Sequence, residues 1–156
     1  MKKSIKFFLS LSYTGLTPKC PGTAGSLATI FFLILLSAIL PESLWLRAII
    51  LIILLIAAVG LGIYAIKKYI AGECDQQWIV IDEFSGMLIA AGAVFIFNLS
   101  LDWYFIAFIL FRFFDIIKPL GLGRINKVNK PWAVVADDVI AGIYSLIILI
   151  LFYYFI

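Results

Sequence analysis

From Leu44 to Ile66 the chain runs through 23 residues with a single charge, Arg47. About 20 apolar residues are what a helix needs to cross a bilayer. Inside hydrocarbon every backbone polar group must find its partner within the segment, and that selects helix. Four more apolar runs accompany it: Ser26–Leu40, Phe84–Leu99, Trp103–Phe114 and Val139–Ile156. The last is long enough to span; the others are short, and Phe84–Leu99 meets Trp103–Phe114 through the tight turn Asn98–Asp102. Whether this pair is a full hairpin or a re-entrant one, both its ends emerge on the same side. With 65% hydrophobic and 13% charged residues, the chain lies far from a soluble domain, which averages about 45–50% and 25%. It reads as an all-α integral membrane protein of one domain, residues 1–156, with about five membrane-embedded helices, the third and fourth short.

The opening MKKSIKFFLSLSY has lysines followed by an apolar stretch, as a signal peptide does. It lacks a small-x-small cleavage site, and Ser10 and Ser12 interrupt it. A retained amphipathic segment lying in the interface is expected, with a disordered basic tail as the alternative. Residues 1–25 would then combine this segment with a loop.

Basic residues set the expected orientation. Alternating the five segments gathers Lys2, Lys3, Lys6, Lys19, Lys67, Lys68, Arg112, Lys118, Arg124, Lys127 and Lys130 on one face, leaving only Arg47 on the other. The crowded face is expected to be cytoplasmic. The same map places Glu73, Asp75, Asp82, Glu83, Asp115, Asp137 and Asp138 there, with Glu42 and Asp102 outside. The positive-inside rule gives acids little weight, so their concentration needs another cause.

Four polar clusters meet on that face. Pro21–Ser26, PGTAGS, stands at the entrance to the first helix, where small residues free backbone N–H groups for an anion and Thr23 and Ser26 add hydroxyls. A plain N-cap is the bland alternative. The second cluster, ECDQQWIVIDEFSG, holds Asp75, Asp82, Glu83 and Gly86. The third, FRFFDIIKP, places Arg112, Asp115 and Lys118 at i, i+3 and i+6 on one helical face. There the bland alternative is an Arg–Asp pair that only lowers an insertion cost. The fourth, WAVVADDVIAG, has Asp137 and Asp138, expected to open the last helix.

Acids at a helix N-terminus are favoured by the dipole, which accounts for each pair alone. It does not account for two pairs converging with Asp115. Five carboxylates in one interfacial pocket repel unless a cation sits among them. Oxygen ligands with open water positions suit Mg²⁺, while the absence of His and a complement of only two cysteines argue against zinc. Carboxylates, a metal, Arg112, Lys118 and a Gly-Thr loop together suit a phosphate. A histidine-nucleophile phosphatase is excluded, and neither Cys20 nor Cys74 begins a Cys-x5-Arg loop.

With PGTAGSLA, IVIDEFSG, FRFFDIIKP and ADDVIAG in this order, the chain resembles the phosphatidylglycerophosphatase A family over almost its whole length. The resemblance implies Mg²⁺-dependent removal of the terminal phosphate of phosphatidylglycerophosphate, giving phosphatidylglycerol. It also implies an all-α protein of the bacterial inner membrane whose partner is an anionic phospholipid substrate, with no role for nucleic acid. Carried over by position, the acids are Asp75, Asp82, Glu83, Asp115, Asp137 and Asp138, and Gly22, Thr23, Gly25, Ser26, Arg112 and Lys118 match the remaining positions. Asp82, Glu83 and Asp138 are expected as metal ligands, with Asp75, Asp115 and Asp137 as further ligands or supporting groups. Arg112, Lys118 and the Gly22–Ser26 loop are expected to hold the phosphate. The sequence departs from the family pattern at Gln76, where a Pro commonly stands, and at KPWAVVADD, where the approach to the last acids is commonly Gly-rich. Direct attack by water, which a metal can activate, is the expected chemistry, with an aspartyl-phosphate route as the alternative.

A small transporter or ion channel would place its acids near mid-membrane with access from both faces. Here the outer halves of the five runs carry no charge except Glu42, Arg47 and Asp102, taken as loop residues. A phosphatase for another lipid phosphate is not separable by sequence. The topology has a direct check: a reporter active only in the cytoplasm should be silent when fused after Ile156 and active when fused at the N-terminus.

Overall fold

The computed structural model describes residues 3–119, 125 and 128–155. Lys2, Arg124 and Lys127 of the basic face, and Ile156 at the end of the last run, lie outside them. The described residues are helical, with no strands. In order they form α1 (Lys3–Leu9), a 3-10 turn (Thr14–Leu16), α2 (Pro21–Ile39), α3 (Leu44–Tyr69), α4 (Ile81–Ala90), α5 (Gly92–Ile96), α6 (Leu101–Ile117) and α7 (Pro131–Phe155). Three of these, α2, α3 and α7, are long and apolar enough to cross a membrane.

Several boundaries differ from the sequence reading, each for a local reason. Pro21 occupies the first helical position of α2, where its missing N–H costs nothing, so PGTAGS forms the first turns of that helix and is no loop. The third run is broken at Ala91 into α4 and α5. Asn98 reverses the chain in the left-handed region at φ 52°, and α6 then extends from Leu101 to Ile117, beyond both expected ends. Lys118, also left-handed at φ 49°, stops α6 just before Pro119. The largest correction concerns α7. It starts at Pro131, so Asp137 and Asp138 lie inside its second turn and do not open it. The helix dipole therefore does not explain that pair.

The short α4 is the centre of the bundle, with α2, α3, α6 and α7 packed around it. Its tightest contact is with α7. A Cβ on Gly142 would stand 2.3 Å from the Gly86 carbonyl oxygen, and one on Gly86 would stand 2.5 Å from the Asp138 carbonyl oxygen. Lipid supplies no hydrophobic drive between helices, so close backbone approach at small residues is the usual substitute. The segment before α2 folds back on the chain ahead of α4, with Val80 N–H donating to Leu9 O at 2.9 Å.

Arg47 corrects another expectation. It is no loop residue: it sits in the first turn of α3 and is 1% exposed. Its Nε donates to Pro41 O (3.2 Å), Nη1 to Phe95 O (3.1 Å), and Nη2 to Ser37 O (3.1 Å) and Leu40 O (3.4 Å). Most of these carbonyls end α2 and α5, where a helix presents partial negative charge. One guanidinium thus satisfies the ends of two helices without any carboxylate. Replacing Arg47 by Met would strand these acceptors in an apolar setting and should cost about 3 kcal/mol. Arg47→Lys should recover only part of the loss, because an ammonium lacks the planar fork. An unfolding titration in detergent measures both.

Candidate active site

Four elements bring the polar groups together. The first turn of α4 supplies Asp82 and Glu83, the second turn of α7 supplies Asp137 and Asp138, and the last turns of α6 supply Arg112 and Asp115. The first turn of α2 closes the site from the opposite side. Asp82, Asp137 and Asp138 are buried, at 7%, 3% and 5% exposure. Asp82, Glu83 and Asp138 each place one carboxylate oxygen within 4.8 Å of the others. These are the three residues the sequence reading singles out as ligands.

Two of the remaining acids face cations. Asp115 Oδ2 lies 2.7 Å from Arg112 Nη1, and Asp137 Oδ2 accepts a hydrogen bond from Lys118 Nζ. Burial would pull the Lys118 ammonium down, but the carboxylates of Asp137, Asp138 and Asp115 outweigh it and hold Lys118 above its ordinary value. Asp115 is also within hydrogen-bonding reach of Asp138, while Asp75 acts electrostatically on both Asp82 and Asp137. Six carboxylates thus share the site with two cations, Arg112 and Lys118.

The buried polar atoms that lack partners point to what the site takes. Asp82 Oδ1 and Glu83 Oε2 are buried with no hydrogen-bond partner. An unpaired ionised oxygen in such a place is costly, and its usual remedy is a cation. The donors are all hard oxygens, a set that fits Mg²⁺. On the other side of the charge balance, Arg112 Nε has no partner, and its Nη1, though close to Asp115, is not aligned to hydrogen-bond it. The guanidinium keeps donors free for an anion.

Glu83, Arg112 and Asp75 border a cleft of about 680 Å³ that Gly22 and Thr23 also line. The expected phosphate cradle divides here. Gly22 and Thr23 open onto the cleft, at a helix start whose first N–H groups have no acceptor within the helix. Gly22 is also a close approach: a Cβ there would lie 2.3 Å from Glu83 Oε1 and 3.2 Å from Arg112 Nη1. Gly25 instead packs against Val80, and the buried Ser26 hydroxyl donates to Gly22 O at 2.9 Å. Lys19, counted in the sequence only for orientation, and Trp78, noted there only as part of the second cluster, line the cleft as well. A basic residue two positions before a helix that opens with Pro was the available signal for Lys19.

A family model described as phosphatidylglycerophosphatase A matches residues 7–153. The chain is 39% identical over 139 residues to the phosphatidylglycerophosphatase A of Haemophilus influenzae, covering 86% of this chain and 80% of that protein. It is 34% identical over 137 residues to the Escherichia coli protein of the same name, covering 85% and 73%. It is also 39% identical over 141 residues to a Bacteroides thetaiotaomicron protein provisionally named phosphatidylinositol-3-phosphatase, covering 87% and 85%. No solved structure matches the chain.

Proposed function

This chain belongs to the phosphatidylglycerophosphatase A family, and from that premise we propose that it hydrolyses the terminal phosphate monoester of phosphatidylglycerophosphate. The products are phosphatidylglycerol and inorganic phosphate, in phospholipid biosynthesis at the cytoplasmic face of a bacterial inner membrane. The observation that carries the reading is the meeting of two unlike sets of buried, unpartnered atoms where Glu83 and Arg112 line one cleft and Asp82 stands against Glu83. Asp82 Oδ1 and Glu83 Oε2 call for a cation, and the Arg112 donors call for an anion. A metal phosphate answers both.

Asp82, Glu83 and Asp138 would hold Mg²⁺, with Asp75, Asp115 and Asp137 around them. When bound, the ion supplies neutralisation of the phosphoryl oxygens and lowers the pKa of water. The chain's own groups do the rest. Arg112 offers Nε and Nη1 to phosphoryl oxygens, and Thr23 with the first N–H groups of α2 offers further donors. Asp115 keeps Arg112 in place, and Asp137 does the same for Lys118, the second phosphate-binding cation in this reading. A water oxygen bonds to phosphorus as the bond to the glycerol oxygen breaks, and the glycerol oxygen ends protonated. No Ser or Thr has a His to activate it, so attack by water is favoured over a covalent route.

The relative named for a phosphoinositide gives a second substrate some weight. Phosphate release by purified protein from phosphatidylglycerophosphate, phosphatidylinositol 3-phosphate and phosphatidic acid, with and without Mg²⁺, tests the reading. Release from the first, abolished by chelation, is the expected result; release from another lipid alone would replace the substrate. Asp82→Asn should lower turnover on the order of 10²-fold, since it removes a hard oxygen and unbalances its neighbours. Arg112→Lys should lower kcat/KM about tenfold although charge is kept, because the planar fork is lost. A fully active Arg112→Lys enzyme would mean that Arg112 serves only to pair with Asp115.

A further inference from the structure

Two stretches of the chain share one spacing: Asp82 is followed four residues later by Gly86, and Asp138 four residues later by Gly142. On helices α4 and α7 that spacing puts each aspartate and its glycine on the same face. Asp82 meets Asp138 and Gly86 meets Gly142, so the two helices run in the same direction at this crossing. The glycines touch through backbone: a Cβ on Gly142 would lie 2.3 Å from Gly86 O and 3.0 Å from its carbonyl carbon. A Cβ on Gly86 would lie 2.5 Å from Asp138 O, the backbone of the opposite aspartate, and 2.5 Å from the Phe111 ring. Gly60, by contrast, faces open space.

We propose that Gly86 and Gly142 are positioning residues that set the spacing of the Asp82 and Asp138 carboxylates, and through it the size of cation the site prefers. The inference rests on the magnesium reading of the site. Backbone cannot rotate out of the way, so a methyl group at either glycine must push α4 and α7 apart. The aspartates ride on those helices one turn away, and their oxygens separate with them. Mg²⁺ holds oxygens at about 2.0–2.1 Å, whereas Ca²⁺ accepts about 2.3–2.6 Å in looser geometry. A wedge at the glycines therefore turns a magnesium site toward calcium. Loss of general packing alone has no reason to change the ratio of two ions in that direction.

The test is calorimetric titration of the purified full chain in detergent with MgCl₂ and, separately, CaCl₂. Gly142→Ala should weaken Mg²⁺ binding by about tenfold or more, the scale on which supporting groups act, and raise the Ca²⁺ to Mg²⁺ affinity ratio. Gly60→Ala should leave both values as in the parent. A folded Gly142→Ala protein, monodisperse and with the parent's near-UV dichroism, that keeps the parent's affinities would overturn the proposal. Should that variant fail to fold, Ala90→Val takes its place, a wedge at a fully buried residue one turn beyond Gly86. It should shift the ratio the same way by a smaller factor, and an unchanged ratio would overturn the proposal. A parent chain that binds neither ion would remove the magnesium reading itself, and this inference with it.

Discussion

Carboxylates held side by side out of water are the constraint from which the rest of this structure follows. Ionised oxygens in a low-dielectric interior repel one another and lose their hydration, and neither cost is met by packing. Asp115 and Asp137 meet it with Arg112 and Lys118. Asp82, Glu83 and Asp138 form no salt bridge among the described residues, and their oxygens converge. The surrounding architecture is arranged to make this convergence possible. The short α4 brings its first turn to the depth of the second turn of α7, and α2 closes over Glu83 at a residue with no side chain.

Which charged residues gather was more legible in the sequence than where the helices that carry them begin and end. Each acid stood beside apolar residues in a chain with few charges, so Asp82, Glu83 and Asp138 announced themselves by their cost. The helical class was readable from the apolar runs for the same reason. What escaped was whatever depends on a partner distant in the chain. The start of α7 at Pro131 was hidden because two aspartates inside a helix look like its beginning, and only the partners from α4 and α6 make their interior position tolerable. The PGTAGS stretch looked like a loop because glycine disfavours helix. Its glycines are there for contacts with Glu83 and Val80, which local propensity does not register. Arg47 looked like a loop residue because isolated charges usually mark loops in membrane chains, and its carbonyl partners have no side-chain signature.

The partners of Arg47 also bear on how the chain is made. Three of its four acceptors, Ser37, Leu40 and Pro41, precede it in the sequence, and the fourth, Phe95, follows 48 residues later. Synthesis runs from the N-terminus, so three of the four acceptors are made before Arg47 itself. The donors that bond them therefore need nothing from the acidic half of the protein, although the positive charge itself remains. The donor left over, Nη1, then waits for Phe95. It becomes the latch by which the later helix pair α4–α5 docks on the earlier one, at the end of the bundle away from the carboxylates. The Arg47 latch and the carboxylate cluster thus lie at opposite ends of the α4–α5 segment, so one short stretch of chain is held at both ends by unlike polar devices.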